Sequence, residues 1–312
     1  MAHAEVPAVG RGRGYAMAIS AYLIFGAIGA LVDWTTAPES LLLVLRFGMA
    51  AAVLAIFFAR RPLLAELRRP GVVRLLLRMG ALDAVSQLCF FVSLRAAGVA
   101  VGMFLFYSSP LVIALLAPRL GGERTEPIVW PALGLGLAGL AAIVAPSLLG
   151  GGAHWSPLGL ACGLAAAVLF ALYMLLVKAL TRRLAATTIV LADCTLNAVL
   201  LLPLALFQTL HSGYAVTGRD LVSAALLGVV CTAFAYWLWV AGVERIPVQH
   251  ASILGYLEPA TAPLYALLLL GQVPALGTVA GGALIIAAGL LLVFFGGRAQ
   301  ALAETTAGAP LL

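Results

Sequence analysis

The sequence predicts an all-α integral membrane protein, with ten transmembrane helices arranged as two inverted five-helix repeats around a central cavity. Three observations predict this fold class: an apolar, weakly charged composition, ten long apolar stretches and an internal repeat. Of the 312 residues, 63% are hydrophobic and 10% are charged, whereas soluble domains have roughly 45–50% and about 25%. So few charges cannot cover a water-facing surface, and we therefore expect lipid to cover much of the molecule.

Ten stretches are long and apolar enough to cross a bilayer, which takes about 20 residues in a helix. Strands of a membrane barrel would alternate with a period of two over about ten residues, and these stretches are too long and too evenly apolar for that. In chain order the predicted spans are Tyr15–Val32, Leu41–Ala59, Leu75–Leu94, Val99–Ala117, Ile128–Ala145, Leu158–Val177, Thr188–Phe207, Leu221–Gly242, Gln249–Leu270 and Leu276–Phe295.

The first span follows a short segment that contains Arg11 and Arg13. It is too long for the core of a signal peptide, so we expect it to stay uncleaved.

The cysteines all lie inside spans and form no CxxC pair, which predicts neither a disulfide framework nor a zinc site. They are Cys89, Cys162, Cys194 and Cys231. The sequence indicates no cofactor and no metal.

The basic residues fall mainly on one side of the predicted spans. With the N-terminus in the cytoplasm, fourteen of the 18 Lys and Arg residues lie on the cytoplasmic side. An excess of Lys and Arg in short loops marks the cytoplasmic face, so we expect both termini inside. Because these charges are explained by topology, the net charge of +6 does not indicate a nucleic-acid partner.

An internal repeat divides the chain into two halves. When the sequence is shifted by 149 residues, 99–122 overlays 248–271 with eight identities, among them Tyr107/Tyr256, Pro110/Pro259 and Gly122/Gly271. Each half then holds five spans, an odd number, so the halves enter the membrane from opposite sides. Secondary transporters commonly use inverted repeats, with the solute site near the midplane between them. We expect a cytoplasmic segment at 1–14, repeats at 15–146 and 157–296, and a cytoplasmic tail at 297–312.

The motifs of the two halves suggest a family. The first half contains FVSLRAAGVAVGMFLFYSSPLVIALLAPRLGGE, and the second contains GYLEPATAPLYALLLLGQ followed by GTVAGGALIIAAGLLLV. This pattern resembles the EamA-type drug/metabolite transporter superfamily over nearly the whole chain. Two departures are Gln272, where the second half usually has Glu, and Arg95 after Leu94.

The resemblance implies ten helices, with a cavity lined by spans one to four and six to nine and with the fifth and tenth spans packed outside. It also implies a bacterial inner-membrane exporter of amino acids or related metabolites. The chain is similar to the aromatic amino acid exporter subgroup, which makes aromatic solutes the narrower expectation. The expected partners are a small-molecule solute and the lipid bilayer. Whether protons act as the coupling ion stays open.

An intramembrane enzyme acting on lipid or hydrophobic substrates is the alternative function. It would need a converging set such as Ser–His–Asp or a metal cluster, and the sequence has no HExxH or GxSxG motif. A receptor or scaffold would give no reason for a duplicated, inverted half.

Lys178, the sole lysine, is interpreted as a snorkelling helix end rather than as a Schiff-base residue.

Ionisable side chains inside spans are costly and are therefore candidate functional groups. They are Arg46, Arg78, Asp83, Asp193 and Glu258. Arg78 is expected to snorkel at the end of its span. Arg46 has two open interpretations, which are to bind a solute carboxylate or to pair with an internal acid. Glu258 is either a cavity residue or a purely structural one.

Polar residues at helical spacing extend this candidate site. Gln87 follows Asp83 by four residues, and Asn197 follows Asp193 by four. The stripe His250, Leu254 and Glu258 is expected to face the cavity. The predicted solute-binding residues are Arg46, Asp83, Gln87, Tyr107, Asn197, Tyr236, Trp239, His250, Tyr256 and Glu258.

Three further residues are predicted hinges. They are Pro110, Gly255 and Pro259, because a proline within a helix frees the carbonyl four residues before it.

Overall fold

The computed structural model describes residues 10–58, 65–123, 125–149, 156–271, 273 and 275–296. The N-terminal residues 1–9, the tail 297–312 and Gln272 lie outside this described part. Within it, ten helices are long and apolar enough to cross a membrane. They are α1 Arg11–Asp33, α2 Glu39–Phe58, α3 Val72–Ala97, α4 Val99–Leu120, α5 Val129–Leu149, α6 Pro157–Leu180, α7 Ala186–Ser212, α8 Gly218–Arg245, α9 Val248–Leu270 and α10 Leu276–Phe295. The ten-helix prediction is confirmed.

The helix ends follow from local capping chemistry. Before α8, the Thr217 side chain accepts a hydrogen bond from the backbone N–H of Asp220, whose carboxylate accepts one from the Thr217 N–H. This capping box satisfies two backbone donors that the helix start leaves unpaired. Gly122, Gly213 and Gly271 follow helices with φ of 67°, 62° and 70°, a left-handed conformation that favours glycine at helix ends.

Four helices are irregular near mid-membrane. Helix α1 is interrupted at Gly26, and α4 is interrupted at Tyr107 and Ser108. Helix α9 is interrupted at Gly255 and Tyr256, the positions 149 residues after Phe106 and Tyr107. Helix α8 contains a π-helical segment over Leu226–Phe234. Irregular backbone at this depth is tolerated where it lines a cavity or packs on a neighbour.

The helix pairing is symmetric between the halves. Helix α3 packs along α6, and α8 packs along α1, which are equivalent pairs when the halves are exchanged. Helix α2 packs on α7, and α5 packs on α10, so each of these pairs maps onto itself. This pattern is the one expected of two five-helix repeats related by a pseudo-two-fold axis.

Small residues bring several helices close together. A Cβ at Gly139 of α5 would lie 2.6 Å from the carbonyl oxygen of Gly281 in α10. A Cβ at Gly159 of α6 would lie 2.8 Å from the backbone nitrogen of Ala97 in α3. No side chain fits either contact without a shift of the backbone, so these glycines set the interhelical distance, as GxxxG spacing suggests.

Candidate functional site: a central cavity lined by charged and aromatic groups

A cavity of about 530 Å³ lies between the two halves. Its lining comes from α1–α4 and α6–α9, and no described residue of α5 or α10 contributes. This distribution confirms the arrangement expected from the family resemblance. We call the end of the bundle where α1 begins the N-terminal end, and the end where α1 finishes the far end.

The cavity reaches the surface at the far end. Its rim includes Asp33 at the end of α1, Glu39 at the start of α2 and Val99 at the start of α4, and all three are exposed. Arg95 beside this rim pairs with Glu39, with Nη2 3.5 Å from Oε2. The cavity therefore extends from mid-membrane to the far end.

Two aromatic side chains form the floor of the cavity at mid-membrane. Trp239 Nε1 donates a 2.6 Å hydrogen bond to the Tyr22 hydroxyl, which donates a 2.9 Å bond to the Ala251 carbonyl oxygen. These bonds tie α8, α1 and α9 together directly below the open space. Trp239 is a predicted site residue that does line the cavity.

Arg46 lines the cavity from α2. Its Nε donates a 2.6 Å hydrogen bond to the Thr232 hydroxyl, and its guanidinium carbon lies 5.3 Å from the centroid of the Phe47 ring. Thr232 belongs to the π-helical segment of α8, and its hydroxyl donates to the Leu227 carbonyl five residues earlier. The π-helical segment therefore aims the Thr232 hydroxyl at Arg46.

Arg46 makes no ion pair with an acid among the described residues, within 4.0 Å. It is nevertheless close enough to Asp83 and Glu258 to interact with both electrostatically. The guanidinium is half-buried and faces the cavity, so a ligand that enters the cavity can reach it.

A polar network joins four helices on one side of the cavity. Its members are Asp83 of α3, Tyr173 of α6, Asp193 and Asn197 of α7, and Tyr236 of α8, and we call it the acid–tyrosine cluster. Asn197 Nδ2 donates to Asp83 Oδ2 at 3.0 Å and to the Asp193 carbonyl oxygen at 3.1 Å. The Tyr236 and Tyr173 hydroxyls donate to Asp193 Oδ2 at 2.8 and 3.3 Å and also contact each other.

Glu258 lies across the cavity, on α9. It is half-buried, lines the open space together with Pro259, and lies beside Tyr107 of α4. Asp83, Gln87, Tyr107, Tyr236 and Glu258 are thus predicted site residues that the structure brings to one cavity. Asp83 and Glu258 both face this space rather than lipid.

An aromatic wall covers the part of the cavity between α3, α4 and α6. The ring centroids of Phe90 and Phe106 are 4.5 Å apart, and those of Phe106 and Phe170 are 4.9 Å apart. Tyr107 continues this wall, with its centroid 5.6 Å from that of Phe106. Such a surface suits an apolar or aromatic part of a solute.

The N-terminal end of the bundle is closed by a buried ion pair. Lys178 is 3% exposed, and its Nζ lies 3.6 Å from Glu123 Oε1. The same Nζ donates to the carbonyl oxygens of Val243 and Ile246 at 2.6 and 2.7 Å, and Glu123 Oε2 accepts from the Val248 N–H at 2.8 Å. The snorkelling interpretation of Lys178 is therefore wrong, because its ammonium is buried and binds backbone carbonyls at the end of α8 and in the α8–α9 connection.

His250 also lies at this closed end, not in the cavity. Its Nδ1 is 2.5 Å from the Tyr15 hydroxyl, its Nε2 is 3.8 Å from Glu126 Oε1, and the side chain is fully buried. The expectation that the His250–Glu258 stripe faces the cavity is wrong for His250 and Leu254. The break at Gly255 and Tyr256 turns only the later part of α9 toward the open space.

Two other predicted site residues do not line the cavity. Tyr256 is fully buried and packs against α5, where a Cβ at Gly136 would lie 2.6 Å from its ring atom Cε2. Asn197 is fully buried behind Asp83, so it contacts the site through the acid–tyrosine cluster.

The predicted hinges coincide with real helix breaks. Pro110 and Pro259 each follow a break by two or three residues. The expected free carbonyl of Gly255 is, however, not free, since it accepts a 3.1 Å bond from the Glu258 N–H. A 3₁₀-type bond from residue i+3 thus takes the place of the α-helical bond from residue i+4, which Pro259 cannot donate.

Thr232, Phe90, Phe106 and Phe170 line the cavity but were not predicted. A single Thr or Phe in a chain this apolar carries no spacing signal. No group of three or more His, Cys, Asp or Glu side chains that could hold a metal ion occurs within the described ranges.

Comparisons with known proteins agree with this architecture. The model of the EamA-like transporter family matches residues 12–145 and 157–295. "Uncharacterized transporter YwfM" of Bacillus subtilis (strain 168) is 29% identical over 228 residues, which is 72% of this chain and 75% of that protein. An "Uncharacterized transporter" of Archaeoglobus fulgidus is 28% identical over 231 residues, or 73% and 78% of the two chains. A crystal structure of another protein, 22% identical, has a TM-score of 0.77 and covers 92% of this chain and 99% of its own, which shows the shared fold.

Proposed function

Because the chain belongs to the EamA-like transporter family, we propose that it exports small organic metabolites, most specifically amino acids, from the bacterial cytoplasm by alternating access. In this proposal it lies in the inner membrane with both termini in the cytoplasm, so the far end is external. Repeat 1 spans 15–146 and repeat 2 spans 157–296.

The observation that carries the solute class is the placement of opposite charges in one cavity. Arg46, Asp83 and Glu258 all line the same space, and Arg46 interacts electrostatically with both acids. An amino acid carries a carboxylate, which a guanidinium binds well, and an ammonium, which a carboxylate binds. The wall of Phe90, Phe106 and Phe170 would then take an apolar or aromatic side chain.

Alternating access is supported by the symmetry of the fold. The cavity is open at the far end and closed at the N-terminal end by contacts of α4, α6, α8 and α9. Exchanging the conformations of two inverted halves would close the first end and open the second. The breaks in α4 and α9 lie at equivalent positions of the two repeats, where such a change needs flexibility.

The test is counterflow in proteoliposomes that contain the purified full-length chain. Vesicles preloaded with one unlabelled L-amino acid are diluted into the same amino acid in tritiated form, for a panel that includes L-phenylalanine and L-threonine. We expect exchange of at least one of them. Loss of the charged hydrogen bond in Arg46→Ala should weaken the apparent affinity roughly tenfold to a hundredfold.

Arg78→Ala is the matched control, since Arg78 is exposed on α3 away from the cavity. It should leave the affinity unchanged. If no amino acid exchanges, or if Arg46→Ala binds as well as the unaltered protein, the amino acid proposal fails.

A further inference from the structure

Two buried acceptor oxygens on α7 have no hydrogen-bond donor in the part of the chain that the structure describes. They are Asp193 Oδ1 and Asn197 Oδ1, on side chains that are 1% and 0% exposed. The Asn197 amide cannot simply be flipped, because its Nδ2 already donates to two acceptors. An unsatisfied buried acceptor costs about 1–3 kcal/mol, so this pair of oxygens calls for a ligand.

The side chains around Asp193 do not supply that ligand. The titratable groups that face it are Asp83 from α3, Tyr173 from α6, Tyr236 from α8 and Cys194 from α7 itself. Both tyrosines donate to the other oxygen, Oδ2. Arg46 directs its Nε to Thr232. Asp193 therefore lies near a second carboxylate, Asp83, and forms no ion pair within 4.0 Å with a Lys, Arg or His side chain of the described residues.

We propose that Asp193 is the site of a transported proton, which the protein exchanges for the solute. Asp193 and Asn197 lie one helical turn apart, where side chains are neighbours. A proton bound to Asp193 Oδ1 turns this unpaired acceptor into a donor, and the unpaired Asn197 Oδ1 one turn away is an acceptor on the same helix. The proton thereby removes the cost of a buried carboxylate oxygen that has no donor. This inference rests on the proposed transport function.

The same cluster also accommodates the site without its proton. In the ionised form, the Tyr173 and Tyr236 hydroxyls stabilise the carboxylate through Oδ2. Asp83 and Asp193 both line the cavity, so the proton can arrive and leave through the space that the solute uses. A cationic solute group at Asp83 would favour release of the proton from the neighbouring acid, which couples the two movements.

A metal cation fits the site less well than a proton. Hard cations such as Ca²⁺ and Mg²⁺ take about six or more oxygen ligands, whereas two acceptors are unpaired at this site. Sodium binding at this site would therefore contradict the proposal.

Infrared difference spectroscopy of the full-length chain in lipid nanodiscs tests the site without any solute. Spectra taken at low and high pH should contain the carbonyl stretch of a protonated carboxyl group that disappears in Asp193→Asn. The matched control is Asp33→Asn at the exposed rim of the cavity, in which the band stays. A band that survives in Asp193→Asn overturns the proposal, and so does a band abolished by replacing choline chloride with NaCl at constant pH.

Tyr236→Phe provides a second measurement that does not depend on folding of Asp193→Asn. It removes one donor to Asp193 Oδ2, so the band should remain but shift in frequency. An unshifted band assigns the proton to a different carboxyl group and contradicts the inference.

Transport separates the inference from the function on which it rests. With L-phenylalanine as the probe, Asp193→Asn should lose accumulation driven by a pH gradient, whereas Arg78→Ala, which lies away from the cavity, should keep it. If the unaltered protein catalyses counterflow but a pH gradient drives no accumulation, the proton inference fails and the transport proposal stands. If no amino acid is exchanged while the Asp193 band is present, the solute proposal fails instead.

Discussion

At the scale of single residues, Lys178 shows how one side chain can satisfy the hydrogen-bonding capacity of several backbone carbonyls. The last carbonyls of a helix have no partner within the helix, and Lys178 binds those of Val243 and Ile246. Glu123 does the complementary work at the start of α9 by accepting from Val248 N–H. The two side chains also neutralise each other, so the α8–α9 connection can be buried.

Lys178→Met should strongly destabilise the protein, because it leaves Glu123 and several carbonyls buried without their partner. Removing one member of a buried ion pair costs about 3–5 kcal/mol. Thermal or denaturant unfolding of the purified protein in detergent measures this loss. Arg78→Met on the exposed face of α3 is the control and should change stability by less than about 0.5 kcal/mol.

The double variant Glu123→Gln/Lys178→Met tests whether the pair acts as a unit. Its destabilisation should be smaller than the sum of the two single effects, as expected for residues in contact. Simple additivity would contradict the paired role.

Sequence patterns could predict part of this residue-level chemistry. The i, i+4 pairs Asp83/Gln87 and Asp193/Asn197 indicated polar faces on two helices, and the structure joins those faces through Asn197 and Asp83. The burial of Lys178 could not be predicted, because its partners Glu123 and Val243 are distant in sequence and their contact depends on how α4, α6 and α8 pack.

At the scale of helices, the paired breaks in α4 and α9 were predictable and the position of each side chain around them was not. The repeat placed a proline at equivalent positions, and the structure breaks both helices two or three residues before it. Because of the break, the parts of α9 before and after it do not continue the face of a single straight helix. For this reason Glu258 faces the cavity while His250 and Tyr256, assigned to the same site from the sequence, pack elsewhere.

Pro259→Ala should slow transport more than it weakens solute binding. Alanine supplies an N–H that can make the α-helical bond to the Gly255 carbonyl in place of the present bond from Glu258 N–H, so it stiffens the break without removing a charged group from the cavity. The rate of counterflow and the dissociation constant of the same labelled amino acid measure the two effects. Pro203→Ala, at an exposed proline within α7, is the matched control, and an equal loss of rate and affinity in Pro259→Ala would contradict a hinge role.

At the scale of the whole molecule, the cavity is open at one end of the bundle and closed at the other. The far end has the exposed Arg95–Glu39 pair within the first half, which is a weak type of ion pair, and a buried bond between the halves from the Ser223 hydroxyl to the Leu31 carbonyl oxygen. The N-terminal end is held by contacts between the halves, which include the buried Lys178–Glu123 pair and the part-buried 3.1 Å bond from Gln249 Nε2 to the Thr125 hydroxyl. The apolar spans, the repeat and the ten-helix fold could be read from composition and periodicity, whereas which end is closed depends on contacts between distant helices.

Linking the halves at the N-terminal end should therefore stop transport. In a chain whose native cysteines are replaced by alanine, Thr125→Cys/Gln249→Cys joined by a short bifunctional thiol-reactive reagent with a reducible bridge would keep the α4–α5 connection and α9 together. Alternating access requires this contact to open, so counterflow should cease and return after reduction. The matched control is Thr187→Cys/Trp237→Cys, since these two residues are hydrogen-bonded at 3.2 Å within the second half and need not separate. Undiminished counterflow in the linked Thr125/Gln249 protein would show that the N-terminal end stays closed during transport, and the solute would then need a path other than the one between the two repeats.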